Sequence, residues 1–459
     1  MEKKSLNTIT LMNIISTVLL QGIAFLTLPI FSRLLGTDNY GIVSVYNTWT
    51  SIVMIVFTLQ TADAFPSARI YLPAEEQEKF QSSAVSLALT SYLCFAVPTY
   101  IITAIIGIDR FLVVSLLIQG FTAYMISALS SKFIFEMDAF KNMLLSLFVS
   151  VVNVGLSLIL IFSMDKEINY KGRIMGMMFS NLAGGVFSYF YIFRRGKTFY
   201  NKEFWKFTLP ITLPTIFHSL ANLVLAQSDR LMIDAMIDKS TTGIYSLAVT
   251  FTSVVSTIFL SLNNAWVPFY YKYSKENDKQ SIMAHSRNYL ELYTIIICGF
   301  MLLSQEVYIF FGGQNFTEGS KYIPLLAAGA FMTFLYSFPV NYEFYHKKTG
   351  HIAVVTVTAA LCNIILNLIL IGSMGVMGAV IATVISYVFQ FAFHYISARF
   401  IIGGDFPYHM KMFLPWIAAV CCCCCVTYLL RDIWIVRWTF GAVLGAVCLY
   451  KIIRRKTIF

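Results

Sequence analysis

Several charged and amide side chains lie inside or at the rims of long apolar runs, where burying them is costly. Arg33 and Arg230 hold matching places in LPIFSRLLGTDNYGIVSVY (28–46) and QSDRLMIDAMIDKSTTGIYSLA (227–248). Each arginine ends an apolar stretch and precedes a short turn containing Asp and a following aromatic and Gly pair. They form a candidate cationic pair; each could instead reach to lipid headgroups or clamp a neighbour, Asp38 or Asp229. Asp63 and Arg69 bracket Pro66, and Lys132, Glu136, Asp138 and Lys141 flank a later turn. Either set could be a gate of exchangeable ion pairs, although a solvated loop face is the simpler reading of the second. His218 follows Pro210 and Pro214 in one apolar run, so it sits where a bent or broken helix could hinge. It could sense a proton, bond a ligand hydroxyl or simply pack. Glu291, Glu343 and His394 are candidate carriers of a coupling ion, since lone carboxylates and imidazoles within spans are where protons and cations are handled.

The elements that must position these groups are membrane helices. The chain is 58% hydrophobic and 12% charged, about half the charge of a soluble domain. It cannot cover a 459-residue globule with polar surface, so the bilayer is its solvent. About fourteen apolar stretches, from 7–32 to 433–450, approach the roughly 20 residues a span needs. The expected fold is all-α and polytopic. The first stretch has a basic lead and no small-residue cleavage site, which reads as a retained span. The net charge of +10 reads as topology-setting loop charge, not a nucleic-acid surface. Five consecutive thiols, Cys421–Cys425, cannot converge on one metal from a helix and read as small apolar filler. No P-loop is present, so an ion gradient or consumption of product is the expected driving force. No catalytic constellation, metal site or cofactor is expected.

With the N-terminus inside, about 23 of the 33 Lys and Arg fall in cytoplasmic segments, which favours both termini in the cytoplasm and an even span count. An internal repeat gives the architecture. NVGLSLILIFSM (153–164) and NIILNLILIGSM (363–374) agree at eight of twelve positions. The spacing of about 210 residues places the copies in the fifth and eleventh spans. Six spans return a chain to the same side, so the halves are two parallel six-helix bundles about an axis along the membrane normal, as in many carriers. The polar linker RRGKTFYNKEFWK (194–206) divides them. The expected organisation is 1–195, 203–402, and an appended helix pair at 408–459. Asn153 and Asn363, matched in the repeat, read as amides that tie helices together.

RLLGTDNYG (33–41), SDR (228–230), GIYS (243–246), HKKTG (346–350) and NIILNLILIGSMGVMGAVIATVISY (363–387) carry a resemblance. In this order and spacing the chain resembles polysaccharide exporters of the multidrug/oligosaccharidyl-lipid/polysaccharide superfamily, from the first span to about residue 400. The resemblance implies two six-helix bundles around a cleft, and flipping of an undecaprenyl-pyrophosphate-linked oligosaccharide from the inner to the outer leaflet by alternating access. The lipid II flippase branch also has fourteen spans, with a final pair that makes a groove for the lipid tail.

That cargo poses a physical problem. A pyrophosphate and several sugars must cross about 30 Å of hydrocarbon, and each polar group moved without a partner costs several kcal/mol. Arg33 and Arg230 then become candidates to meet the pyrophosphate, with Asp63, Arg69, His218 and Asp229 as gating or sugar-binding candidates. Expected partners are the polyprenyl-linked glycan, membrane lipids and other polysaccharide assembly proteins, in the inner (cytoplasmic) cell membrane. A cation-coupled exporter of drugs or small metabolites on the same fold is the alternative. A membrane glycosyltransferase or polymerase is remote, because the outer loops are short and an enzyme needs no such repeat.

Overall fold

The computed structural model describes residues 6–403 and 406–455. Long α-helices dominate, and there is no strand among the described residues. α1 (Leu6–Phe57) is a single long element with a break at Gly36, whose φ of 70° and ψ of −178° are not helical. Glycine alone takes that conformation without strain, so the first two expected spans become two arms of one bent rod. After a left-handed pair, Leu59 and Gln60, a 3-10 turn (Thr61–Ala64) leads into the short α2 (Phe65–Tyr71), with Pro66 in its first turn. Then follow α3 (Ala74–Ile106), α4 (Arg110–Phe135), α5 (Ala139–Phe162), α6 (Asn169–Gly196), α7 (Lys202–Met236) and α8 (Lys239–Lys275). α9 (Lys279–Gly312), α10 (Ile323–Tyr345), α11 (Thr349–Met374), α12 (Val376–Ile396), α13 (Met410–Leu429) and α14 (Trp434–Arg455) complete the chain. With α1 counted as two arms, the long helices among the described residues number fourteen. Eleven helices are both long and apolar enough to cross a membrane on their own composition. The protein is a multi-pass, all-α membrane protein.

Short connectors keep consecutive helices side by side, and aspartates cap several of them. Asp109, Asp138, Asp238 and Asp278 accept from backbone N–H groups of Phe111, Lys141, Thr241 and Ser281 at 2.9, 3.2, 2.7 and 2.9 Å, using N–H groups that a helix start leaves unpaired. Hydrogen bonds from Ser281 hold the Asp278 carboxyl below the usual carboxylate range, so this cap stays ionised at neutral pH. The α4–α5 and α10–α11 turns each hinge on a left-handed residue, Met137 and Lys347, both with φ of 58°. These two lie 210 residues apart, the spacing of the sequence repeat, so the repeat extends beyond its matched letters into backbone geometry.

The chain forms two compact units, Met1–Leu223 and Val224–Phe459, which meet within α7. The polar linker at 194–206 lies inside the first unit. That unit's core gathers Phe80, Tyr124, Leu129, Phe133 and Phe204, with Phe80 edge-on to Phe204 at 5.6 Å. The second is more aromatic. Phe334 has Tyr293 at 4.4 Å and Tyr289 at 4.9 Å, and Phe338 and Phe413 extend the cluster to α13.

Each unit contains a helix pair related by the repeat that approaches to backbone contact. A Cβ on Gly176 would lie 2.3 Å from Ser157 Oγ and 2.6 Å from its Cα. A Cβ on Gly172 would meet the Leu160 carbonyl at 2.8 Å, and one on Gly378 the Leu370 carbonyl at 2.1 Å. Leu160 and Leu370 are repeat partners, so α5–α6 and α11–α12 are two copies of one close packing, in which Gly172 and Gly378 correspond. Small residues at such contacts allow van der Waals packing where no hydrophobic force separates helix from lipid.

α13 and α14 are fastened to the second unit mainly through α9. Arg437 on α14 is fully buried. It donates to the carbonyls of Leu302 and Leu430 at 3.0 Å and of Arg431 at 3.1 Å, and pairs with Glu306. Lys451 pairs with Glu291 further along the same two helices. The cysteine run packs as filler: Cys424 is buried, Cys423 donates to the Cys298 carbonyl at 3.6 Å, and Cys421, Cys422 and Cys425 face outward.

Gly176→Leu is expected to lower the stability of the detergent-purified protein by about 1–3 kcal/mol or more through overpacking. Gly372→Ala, where a Cβ meets open space, should leave the melting temperature within error. Equal melting of both variants would remove the close-packing account.

Candidate functional site

Asp229 on α7 is a buried carboxylate of the second unit's helix core, 2% exposed. It accepts from Tyr245 Oη at 2.5 Å, Thr383 Oγ1 at 2.5 Å and Asn367 Nδ2 at 2.6 Å. These donors come from α8, α12 and α11, so four helices close around one carboxylate. Asn367 Nδ2 also donates to Asn363 Oδ1 at 3.1 Å, which accepts from Ser228 Oγ at 3.0 Å. Among the described residues no cation lies within ion-pairing distance of Asp229; Arg230, the next residue, contributes only field. Asn367 Oδ1 and Asn363 Nδ2 are buried without a hydrogen-bond partner. The three contacts are at the short end of hydrogen-bond distances. A carboxylate with amide, hydroxyl and phenol oxygens is a donor set for a proton or a small hard cation, not for a soft metal.

The first unit carries the opposite charge. Arg173 on α6 donates from Nη1 to Asn153 Oδ1 and Ser157 Oγ, both at 2.7 Å, and its guanidinium lies 3.9 Å from the centre of the Phe31 ring. Among the described residues no carboxylate pairs with it. α1, α5 and α6 thus hold one arginine through neutral acceptors and a ring face. Near it, Asn39 and Asn169 bond each other at 2.9 Å and reach the carbonyls of Lys166 and Leu34 at 2.8 and 2.7 Å, which secures the kink of α1 to α6.

A third constellation joins α10 and α12. His394 Nδ1 lies 2.8 Å from Glu343 Oε2, and both side chains are 0% exposed. Glu343 Oε1 and His394 Nε2 have no hydrogen-bond partner among the described residues. Two of the three expected coupling-ion candidates therefore meet in one buried pair able to share a proton. The third, Glu291, is held by Lys451 of α14.

The other expected residues are distributed as follows. Arg33 is exposed on α1, three residues before the Gly36 break. Asp63 lies in the 3-10 turn, and Arg69 is exposed in α2. His218 Nε2 lies 3.1 Å from Asn222 Nδ2, one turn along α7; Pro210 and Pro214 both lie inside that helix. Lys132, read with its neighbours as a gate or a loop face, is 1% exposed. It bonds Gln81 Oε1 at 2.6 Å and Glu136 at 2.8 Å, with Glu78 at 3.7 Å bridging to Arg195. Sequence reasoning singled out neither Arg173 nor the donors Tyr245, Asn367 and Thr383. Arg173 was visible as a charge at the start of a span. The donors were not visible, because hydroxyls and amides are common in helices and only packing shows which face a charge.

A family model described as polysaccharide biosynthesis protein matches residues 8–274. The chain belongs to this family. Among curated proteins it is 23% identical over 367 residues to an uncharacterised membrane protein of Haemophilus influenzae, covering 77% of this chain and 85% of that one. It is also 23% identical over 389 residues to a probable low-salt glycan biosynthesis flippase of Haloferax volcanii, covering 81% and 79%. Among solved structures, the lipid II flippase MurJ in an inward closed conformation superposes with a TM-score of 0.66 at 18% identity, over 95% of this chain and 99% of that one. An outward-facing multidrug resistance transporter of the MATE family superposes with a TM-score of 0.57 at 16% identity, over 86% and 95%. These likenesses show that the chain shares the fold of these two solved proteins.

Thr383→Val keeps the shape and removes one donor from the Asp229 carboxylate. The expected loss is about 1.5–3 kcal/mol, the range for a hydrogen bond to a charged group, read as a lower melting temperature. Thr358→Val, where the hydroxyl only bonds its own helix, is the matched control and should change little.

Proposed function

We propose that the protein flips an undecaprenyl-pyrophosphate-linked oligosaccharide from the inner to the outer leaflet of the cytoplasmic membrane, for surface polysaccharide synthesis. The observation that carries this reading is membership of a polysaccharide biosynthesis family by a chain with a flippase-type fold. The two bundles, near 1–195 and 203–402, are the moving halves, with both termini cytoplasmic and the pair 408–459 appended. No bond is made or broken in the cargo, so the protein acts as a carrier and not as an enzyme.

Arg33 and Arg230 are the cations that meet the pyrophosphate, each in its own half. Asp63, Arg69 and His218 act in gating or sugar contact. Coupling to an ion gradient falls to buried acidic groups of the second half. Asp229, with phenol, hydroxyl and amide groups of three other helices around it, takes a small monovalent cation; the Glu343–His394 pair takes a proton. A lone buried carboxylate in a membrane bundle is costly unless its charge is used or compensated. Glu291 has a lysine of its own and so serves attachment of α14.

Deletion of the gene is expected to leave assembled lipid-linked repeat units on the cytoplasmic leaflet, measured by extraction and sizing of polyprenyl sugars with a leaflet-access assay. Continued surface glycan in a strain lacking any second exporter would overturn the reading. Arg33→Ala and Arg230→Ala should each reduce export at least several-fold, and lysine should restore part of it. Lysine as damaging as alanine would make the arginine a planar clamp and not a phosphate-facing charge.

A further inference from the structure

Half-buried Arg173 and buried Asp229 stand in repeat-related surroundings, and their difference has a functional meaning. Asn153 and Asn363 are repeat partners, as are Ser157 and Asn367. The first pair member binds Arg173 with Ser157; the second binds Asp229 through Asn367. The packing of Gly172 on Leu160 and of Gly378 on Leu370 fixes the register of the following helix. In that register the residue after Gly172, Arg173, corresponds to the residue after Gly378, Ala379. In the register of the matched arginines Arg33 and Arg230, Ser32 of the first half corresponds to Asp229 of the second. One half therefore carries a guanidinium and a serine where the other carries a methyl group and a carboxylate.

We propose that Arg173 is a tethered cation that permanently fills the first half's copy of the cage, so that the second half alone takes up a free cation and the carrier moves one per cycle at these sites. The Arg173 guanidinium uses Asn153 Oδ1 and Ser157 Oγ as ligands at 2.7 Å. In the second half Ala379 is buried and short, the carboxylate has only neutral donors, and Asn367 Oδ1 is buried without a partner. An acceptor oxygen and a negative charge are thus left where the first half already supplies a positive group. The tether holds the first half's charge constant through the cycle. The second half's charge changes when its cation leaves, so the conformational equilibrium is biased from one side only. This inference rests on the cation-coupling reading of Asp229 given above.

The test is equilibrium binding of radioactive sodium to the purified full-length protein in detergent, with choline as the replacement ion. The expected stoichiometry is one sodium per chain, falling to none in Asp229→Asn. In the double variant Ser32→Asp with Arg173→Ala, which gives the first half a carboxylate and no guanidinium, it should rise to two. Two sodium ions per wild-type chain would overturn the tethered-cation inference and leave the coupling reading intact. A monodisperse double variant that still binds one would overturn it in the same way. No binding by the wild type would remove the coupling reading at Asp229 itself, and this inference with it. The wild-type stoichiometry decides even where the double variant does not fold.

Discussion

A charge taken into the helix core of a membrane protein has to be met by protein atoms, because no water is there to meet it. This constraint organises both halves. Asp229 is reached by donors from three helices besides its own, and Arg173 by acceptors from a second helix and a ring from a third. In each case the charge specifies which faces of the helices turn inward, since any other rotation would strand it. Closeness of approach follows. Only glycine at 172, 176 and 378 lets α6 and α12 come near enough to α5 and α11 for short amide and hydroxyl side chains to reach a charge across the pair. Packing and electrostatics are thus one device.

The same constraint explains how the last two helices are attached. α14 carries Arg437 and Lys451, and α9 carries Glu306 and Glu291. Arg437 uses several donors on carbonyls as well as on Glu306, which is how a buried guanidinium is satisfied. Trp438 Nε1 adds a bond to Glu306 Oε2 at 3.0 Å. Two ion pairs spaced along one helix face fix both the rotation and the height of α14 against α9. Apolar contact alone would fix neither, since lipid competes for it on equal terms.

Much of this was legible in the sequence. Low charge and long apolar runs required helices through a bilayer, and the repeat around Asn153 and Asn363 pointed to two related halves. The kink at Gly36 was less accessible: the turn-like letters around it suggested two separate spans, yet one glycine out of helical geometry bends a continuous rod. The site was legible in part. Glu343 and His394 stood out as isolated polar groups in apolar runs, but their meeting across α10 and α12 depends on packing. Asp229 stood out as a charge beside a matched arginine, while its hydroxyl and amide donors had no signature. Arg173 was overlooked because it opens a span, where an arginine is usually explained by the headgroup region; its seat against the Phe31 ring depends on the packing of α1 on α6.

The repeat itself changes meaning once the side chains are placed. Its conserved letters between the halves, the leucines and isoleucines of α5 and α11, are packing. Its two asparagines tie helices, as neutral amides do, but each tie runs through a charge, and the charges are of opposite sign. A duplicated scaffold with a carboxylate in both halves would offer a cation two like sites, whereas charges of opposite sign leave such a site in one half only. Substituting a fixed positive group in one half and leaving an oxygen-lined carboxylate in the other makes the halves unequal at matched positions. A ligand shifts a conformational equilibrium only through its differential affinity for the two states. Under the tethered-cation proposal only the second half's carboxylate is open to a cation, and the packing that both halves share is unaltered.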